Sequence, residues 1–288
     1  MVEQSAARVT GTILDRIVAS RRLRLAEDRA LRDEAALRTM IEGARPPISF
    51  AARLREGRVA SPASRLRLVA EIKRASPSKG VFDADLDAVA QARDYAEAGA
   101  AAISILTEPD YFSGGIADLA GVCASFDGDA DRPALLRKDF IFDAYQVLEA
   151  RAFGADALLL IVMLLEPDGL RDLLAQTRAL GMEALVEVHD EDELRTAVEA
   201  GATVIGVNNR DLRTFHEDLG TFERLSALAE ALAPEGVTLV AESAIRAPED
   251  AVRMAEAGAH ALLVGEALVR SGTVVETARS LMLAEAPQ

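Results

Sequence analysis

The chain has 288 residues, half of them hydrophobic and only 4% aromatic, an Ala/Leu/Val-rich composition that excludes a disordered or fibrous protein. Its formal net charge of −15 argues against binding to nucleic acid or an anionic membrane surface. The single cysteine, Cys123, excludes an intrachain disulfide and a Cys-based zinc site, and fits a reducing, cytoplasmic setting.

Residues 1 to about 65 read as helix, loop, helix. Ile13, Leu14, Ile17 and Val18 recur at helical spacing between Asp15, Arg16, Arg21 and Arg22, which is an amphipathic helix and not a signal peptide. Ala44-Arg45-Pro46-Pro47 breaks the pattern, and Ser49-Phe50 leads into a short second helix. No apolar run is long enough to span a membrane.

From Arg67 onward, short apolar runs alternate with amphipathic stretches. The runs are 68–70, 102–105, 134–136, 157–161, 184–186, 204–207, 238–240 and 261–264. Each is continuously apolar, as strands buried on both faces of a parallel sheet are. Helical segments such as Leu86–Ala98, Asp143–Phe153, Asp168–Leu180 and Ala247–Ala257 lie between them. The phrase Glu-Ala-Gly-Ala closes helices at residues 97–100, 199–202 and 256–259, with Phe153-Gly154-Ala155 as a variant. Eight βα units predict an α/β fold, a (β/α)8 TIM barrel at 66–288, carrying the helical extension 1–65, as one domain overall. An open doubly wound sheet is the alternative. It lacks support, because no Gly-rich dinucleotide fingerprint follows the first strand.

Active sites of such barrels lie at the C-terminal ends of the strands. There this chain carries Glu71, Lys73, Arg137-Lys138-Asp139, Glu187-Val188-His189, Asn208-Asn209-Arg210, Glu242-Ser243 and Gly265-Glu266. Alternation along a strand puts Glu71 and Lys73 on one face, and Asn208 and Arg210 likewise if the strand continues that far. Clustered charges need partners, so the set is either an acid–base site or a salt-bridge network capping the barrel. The loops after the seventh and eighth strands, with a helix opening at Gly265, suggest a phosphate site. His189, His216 and His260 lack metal-ligand spacing and read as structural, and Cys123 reads as helix packing.

Glu71-Ile72-Lys73-Arg74-Ala75-Ser76-Pro77-Ser78-Lys79-Gly80 resembles the first-strand signature of the indole-3-glycerol-phosphate synthase family in its monofunctional form. Tyr111-Phe112-Ser113-Gly114-Gly115, Arg137-Lys138-Asp139-Phe140, Val186-Glu187-Val188-His189, Asn208-Asn209-Arg210-Asp211-Leu212 and Ala241-Glu242-Ser243 are similar to that family too. The resemblance implies ring closure of 1-(2-carboxyphenylamino)-1-deoxyribulose 5-phosphate in tryptophan biosynthesis, with no metal and no cofactor. It makes Lys138 the general acid, Lys73 a second lysine between phosphate and reacting centre, and Glu187 a participant in dehydration. Glu71 and Glu242 would hold the lysines. Asn208 and Arg210 would hold the anthranilate end, Arg210 facing its carboxylate. Phe112 and Pro77 would pack on the ring. Ser76, Ser243, Ala244, Leu263, Gly265 and Glu266 would line the phosphate and anthranilate pockets. The chain departs from the family pattern at Ala244, where glycine is usual. Another phosphate-binding barrel, such as phosphoribosylanthranilate isomerase, and a non-catalytic barrel binding phosphorylated metabolites are the competing readings. The expected partner is a small phosphorylated molecule, and the oligomeric state is left open, a monomer included.

Overall fold

In a computed structural model, which describes residues 7–58, 66–233 and 236–282, eight strands close into a parallel barrel. They are β1 (Arg67–Ile72), β2 (Ala102–Leu106), β3 (Ala134–Lys138), β4 (Ala157–Ile161), β5 (Glu183–Val188), β6 (Val204–Asn208), β7 (Thr238–Glu242) and β8 (Ala261–Val264). Each pairs with its sequence neighbours, and β1 with β8 closes the ring. The eight apolar runs of the sequence are these strands. Nearly every strand residue is buried, as a sheet requires when side chains fill its interior and helices cover its outside.

The expected helices form at Ala88–Ala98, Ala144–Ala152, Pro167–Ala179 and Pro248–Glu256. Asp87 and Asp143 cap two of them by accepting backbone N–H groups of the first turn. The glycines of the repeated helix-end phrase, Gly99, Gly154, Gly201 and Gly258, all have positive φ, the conformation that stops a helix and releases the chain into the next strand.

The extension has three helices where the sequence predicted two: α1 (Ile13–Leu31), α2 (Glu34–Gly43) and α3 (Phe50–Glu56). The extra break falls at Arg32, which is extended, and Asp33 starts the next helix by accepting the Ala36 N–H. The boundary expected near residue 65 lies outside the described residues. α3 caps the N-terminal end of the barrel: Ala51 donates its N–H to Glu183 at the start of β5, and Arg55 bonds Thr238 at the start of β7. Phe50 and Leu54 are fully buried there.

α1 lies at the opposite end. Arg21, 3% exposed, reaches Asp139 at 3.2 Å and Glu149 at 3.7 Å. Arg137 and the Thr107 hydroxyl bind the same Asp139 carboxylate. Buried charges persist only when paired in this way, and the network fixes α1 beside the residue following Lys138. Among the described residues no helix is long and apolar enough to cross a membrane.

Candidate active site

A cavity of about 570 Å³ opens at the C-terminal ends of the strands, within the usual size for a small-molecule site. Its floor is ionic. The Lys138 ammonium lies 3.1 Å from Glu242 Oε2, 3.4 Å from Glu71 Oε2 and 4.0 Å from Glu187 Oε2. Lys73 is 2.5 Å from the other oxygen of Glu71. Glu71 therefore bridges both lysines. Asn208 Nδ2 donates to Glu187 Oε1 at 3.1 Å. Two glycines make room for this depth of charge. A Cβ at Gly206 would collide with the Glu242 carboxylate, and one at Gly265 with that of Glu71.

The electrostatics follow from these distances. Burial alone would discharge Lys138, but Glu242, Glu71 and Glu187 outweigh it and hold the ammonium firmly protonated. Burial opposes ionisation of Glu71 as well, and the two lysines overcome it, leaving its pKa below the usual carboxylate range. Glu242 goes the other way. Its burial, with Glu187 and Glu71 nearby, outweighs Lys138 and raises its pKa. Glu187 is pulled down despite burial, chiefly by the neighbouring imidazole of His189 and the charge of Lys138.

That makes His189 more than the structural residue expected from sequence. Its Nε2 lies 3.3 Å from Glu187 and its Nδ1 2.9 Å from Glu193. Burial favours the neutral ring, yet the two carboxylates win and raise its pKa from 6.5 to about 10. A histidine with a raised folded-state pKa stabilises the fold fully below its unfolded value, and that contribution fades as pH rises through the folded value. Stability to urea should therefore fall between about pH 6.5 and 10. His189→Gln should flatten that fall. An unchanged slope in the variant would place the charge elsewhere.

The walls are apolar and aromatic. Phe112 is aimed by its neighbour Glu108, whose fully buried carboxylate accepts the N–H groups of Asp110, Tyr111 and Phe112. Its ring lies 5.9 Å from that of Phe140, tilted by 38°. Pro77, Leu159 and Leu263 add apolar surface, and Ile13, Leu14 and Ile17 of α1 complete the rim. The Ser76 hydroxyl is buried, faces this space and has no hydrogen-bond partner among the described residues.

β6 ends at Asn208, yet Arg210 still lines the cavity, because its N–H donates to Asn208 Oδ1 at 3.0 Å. Its guanidinium is not free: Nε and Nη2 bind Glu217 at 3.0 and 2.5 Å.

Ser243, Ala244, Gly265 and Glu266 border the other side, with the short helix Glu266–Val269 opening there. The Glu266 carboxylate turns to Arg270 at 3.3 Å, which leaves its backbone as the part facing the cavity. Ser243 and Ala244 both have φ of 63°, unfavourable for residues with a Cβ. The loop in which alanine stands for the family's usual glycine thus does take positive φ. Ala244→Gly should raise stability by about 1 kcal/mol, with the chemical step unchanged and inorganic phosphate bound slightly tighter. A lower Tm in a thermal melt would mean that the loop does not keep positive φ in solution.

All fifteen residues singled out from sequence converge here: fourteen line the cavity, and the remaining one, Glu242, lies on Lys138 beneath it. Sequence reasoning missed Glu217, Phe140 and Gly206 as parts of the site, the contact of His189 with Glu187, and the role of Gly265 in leaving room for Glu71. His189 stands two residues after Glu187, a spacing that could have found it. Nothing local in the sequence ties Glu217 to Arg210.

Fold and site together define a (β/α)8 barrel with a cavity at the C-terminal strand ends, set over a floor of two lysines and three glutamates. The family model for indole-3-glycerol phosphate synthase matches residues 14–281, and the chain belongs to that family. It is 48% identical to the indole-3-glycerol phosphate synthase of Roseiflexus sp. (strain RS-1), over 94% of this chain and 98% of that one. Indole-3-glycerol phosphate synthase 2 of Streptomyces coelicolor is 46% identical with the same coverage. A multifunctional tryptophan biosynthesis protein of Schizosaccharomyces pombe is 43% identical over 82% of this chain, which spans 30% of that longer protein. Among solved structures, a 3-hexulose-6-phosphate synthase superposes with a TM-score of 0.58 at 16% identity, covering 77% of this chain and all of that one, a likeness of fold alone.

Proposed function

We propose that the chain converts 1-(2-carboxyphenylamino)-1-deoxyribulose 5-phosphate to indole-3-glycerol phosphate, releasing carbon dioxide and water in the cytoplasm. The observation that carries this reading is one ammonium, Lys138, set among three carboxylates on the floor of a cavity lined by Arg210 and by the loops after β7 and β8. Family membership and the similarity to Roseiflexus and Streptomyces enzymes support it.

The chemistry divides into two halves. In the first, the aryl carbon bearing the carboxylate attacks the ketone. A carbon–carbon bond forms, and Lys138 delivers a proton to the developing alkoxide. A positioned ammonium both stabilises and neutralises that charge. The bond to the carboxylate then breaks, carbon dioxide leaves, and the electron pair restores the aromatic ring. In the second half the new hydroxyl departs as water. Glu187 accepts a proton there, and a lysine ammonium protonates the leaving oxygen. Glu71 and Glu242 keep Lys138 charged, and Glu71 orients Lys73. Asn208 fixes the Glu187 carboxylate.

Binding divides along the same axis. Phe112 and Pro77 pack on the aromatic ring, and Arg210 takes its carboxylate. Ser76, whose hydroxyl has no partner among the described residues, and the backbone N–H groups around Ser243, Ala244, Gly265 and Glu266 take the phosphate and sugar. Leu263 packs between these regions.

The competing barrel isomerase and the non-catalytic barrel are separated by substrate. Purified protein should form an indole chromophore from the carboxyphenylamino compound and leave phosphoribosylanthranilate unchanged. Turnover of phosphoribosylanthranilate alone favours the isomerase, and binding without turnover of either favours the non-catalytic barrel.

A further inference from the structure

We infer that Glu217 is an exchange partner for Arg210: it holds the guanidinium when no ligand carboxylate is present and yields it when one arrives. The inference rests on the reading of Arg210 as the carboxylate anchor.

The pairing is built into the backbone. After β6 the chain turns through residues 209–218 as a narrow hairpin. Asp218 donates its N–H to the Asn209 carbonyl, and Asp211 donates to that of His216. Arg210 and Glu217 are thereby opposed as an antiparallel pair between those bonds. Side chains of such a pair stand close together on the same face. Glu217 is thus delivered to Arg210 by register, and both line the cavity.

Glu217 also has somewhere else to go. Its second oxygen binds Arg246, which follows the strained Ser243-Ala244 turn, so one carboxylate bridges two guanidinium groups. Its side chain is 15% exposed, and burial that would favour its neutral form is outweighed by Arg210, Arg246 and Lys79, so it stays ionised. Letting go of Arg210 would leave Glu217 paired to Arg246. The cost of the exchange is one ion pair for another.

The reaction gives this arrangement a use. The substrate carries a carboxylate, and the product does not, because that group leaves as carbon dioxide. Arg210 would then face the product with a half-buried charge and no ligand partner, an unfavourable state. Glu217 restores its partner at that moment. It therefore weakens binding of carboxylate-bearing ligands and leaves product binding unpenalised.

The test uses Glu217→Gln, nearly the same shape without the charge, with circular dichroism and Tm confirming the fold. Two ligands are compared by calorimetry: indole-3-glycerol phosphate, and the substrate with its ketone reduced to an alcohol, which keeps the carboxylate and cannot cyclise. Glu217→Gln should bind the reduced substrate roughly 2–5-fold tighter, the worth of a partly exposed ion pair, with product affinity unchanged or weaker. Weaker binding of the reduced substrate would overturn the exchange role and make Glu217 a residue that orients Arg210. Equal affinities in wild type and variant would overturn it as well. Arg210→Ala, measured beside it, tests the underlying reading separately: if that variant binds the reduced substrate as wild type does, the carboxylate anchor itself is wrong.

Discussion

Lys138→Ala should lower kcat by roughly 10²–10⁴-fold, the range expected for loss of a positioned general acid. The ammonium sits between Glu242, Glu71 and Glu187, so its removal would delete the proposed proton donor and leave three carboxylates facing one another. Glu242, whose carboxyl already resists ionisation, would then take up a proton more readily and partly relieve the repulsion. The fold should survive, and substrate affinity should change much less than kcat. A reduced substrate analogue bound normally by a variant with near wild-type kcat would remove Lys138 from the acid role.

Arg210→Ala should act on binding. Hydrogen bonds to charged groups are worth about 1.5–3 kcal/mol, which corresponds to roughly 10–100-fold in KM. The loss should lie toward the lower end of that range, because Glu217 already shares the guanidinium. A ligand lacking the carboxylate should bind wild type and variant alike. Equal loss for both ligands would make Arg210 a strut of the 209–218 hairpin and not an anchor.

Most of the barrel could be read from the sequence, because strands buried on both faces must be apolar throughout and helix ends need glycine at positive φ. The floor of the site was equally legible, since Glu71, Lys73, Lys138, Glu187, Asn208 and Glu242 all sit at strand ends where polarity has no packing reason. Resemblance to a known family then attached roles to them. What stayed hidden depends on approach in space. Glu217 reaches Arg210 only through the register of a loop. Gly206 looks like an ordinary strand residue, and Gly265 like a phosphate-loop glycine only, until Glu242 and Glu71 are seen to fill the space a Cβ would take. The break between α1 and α2 lay within a continuous helical pattern, although Asp33 offered a cap signal. At Ala244 the sequence showed only the departure from glycine; its positive φ became visible in the structure.

On the proposed mechanism, this floor couples ring closure to loss of the carboxyl group. The most direct measurement gives purified protein the substrate with its carboxyl carbon isotopically labelled, and follows labelled carbon dioxide and indole absorbance together. Both should appear in equal amounts and at the same rate, and both should be lost to the same extent in Lys138→Ala. Indole formed without labelled carbon dioxide, or neither product formed by a folded protein that binds the substrate, would contradict it.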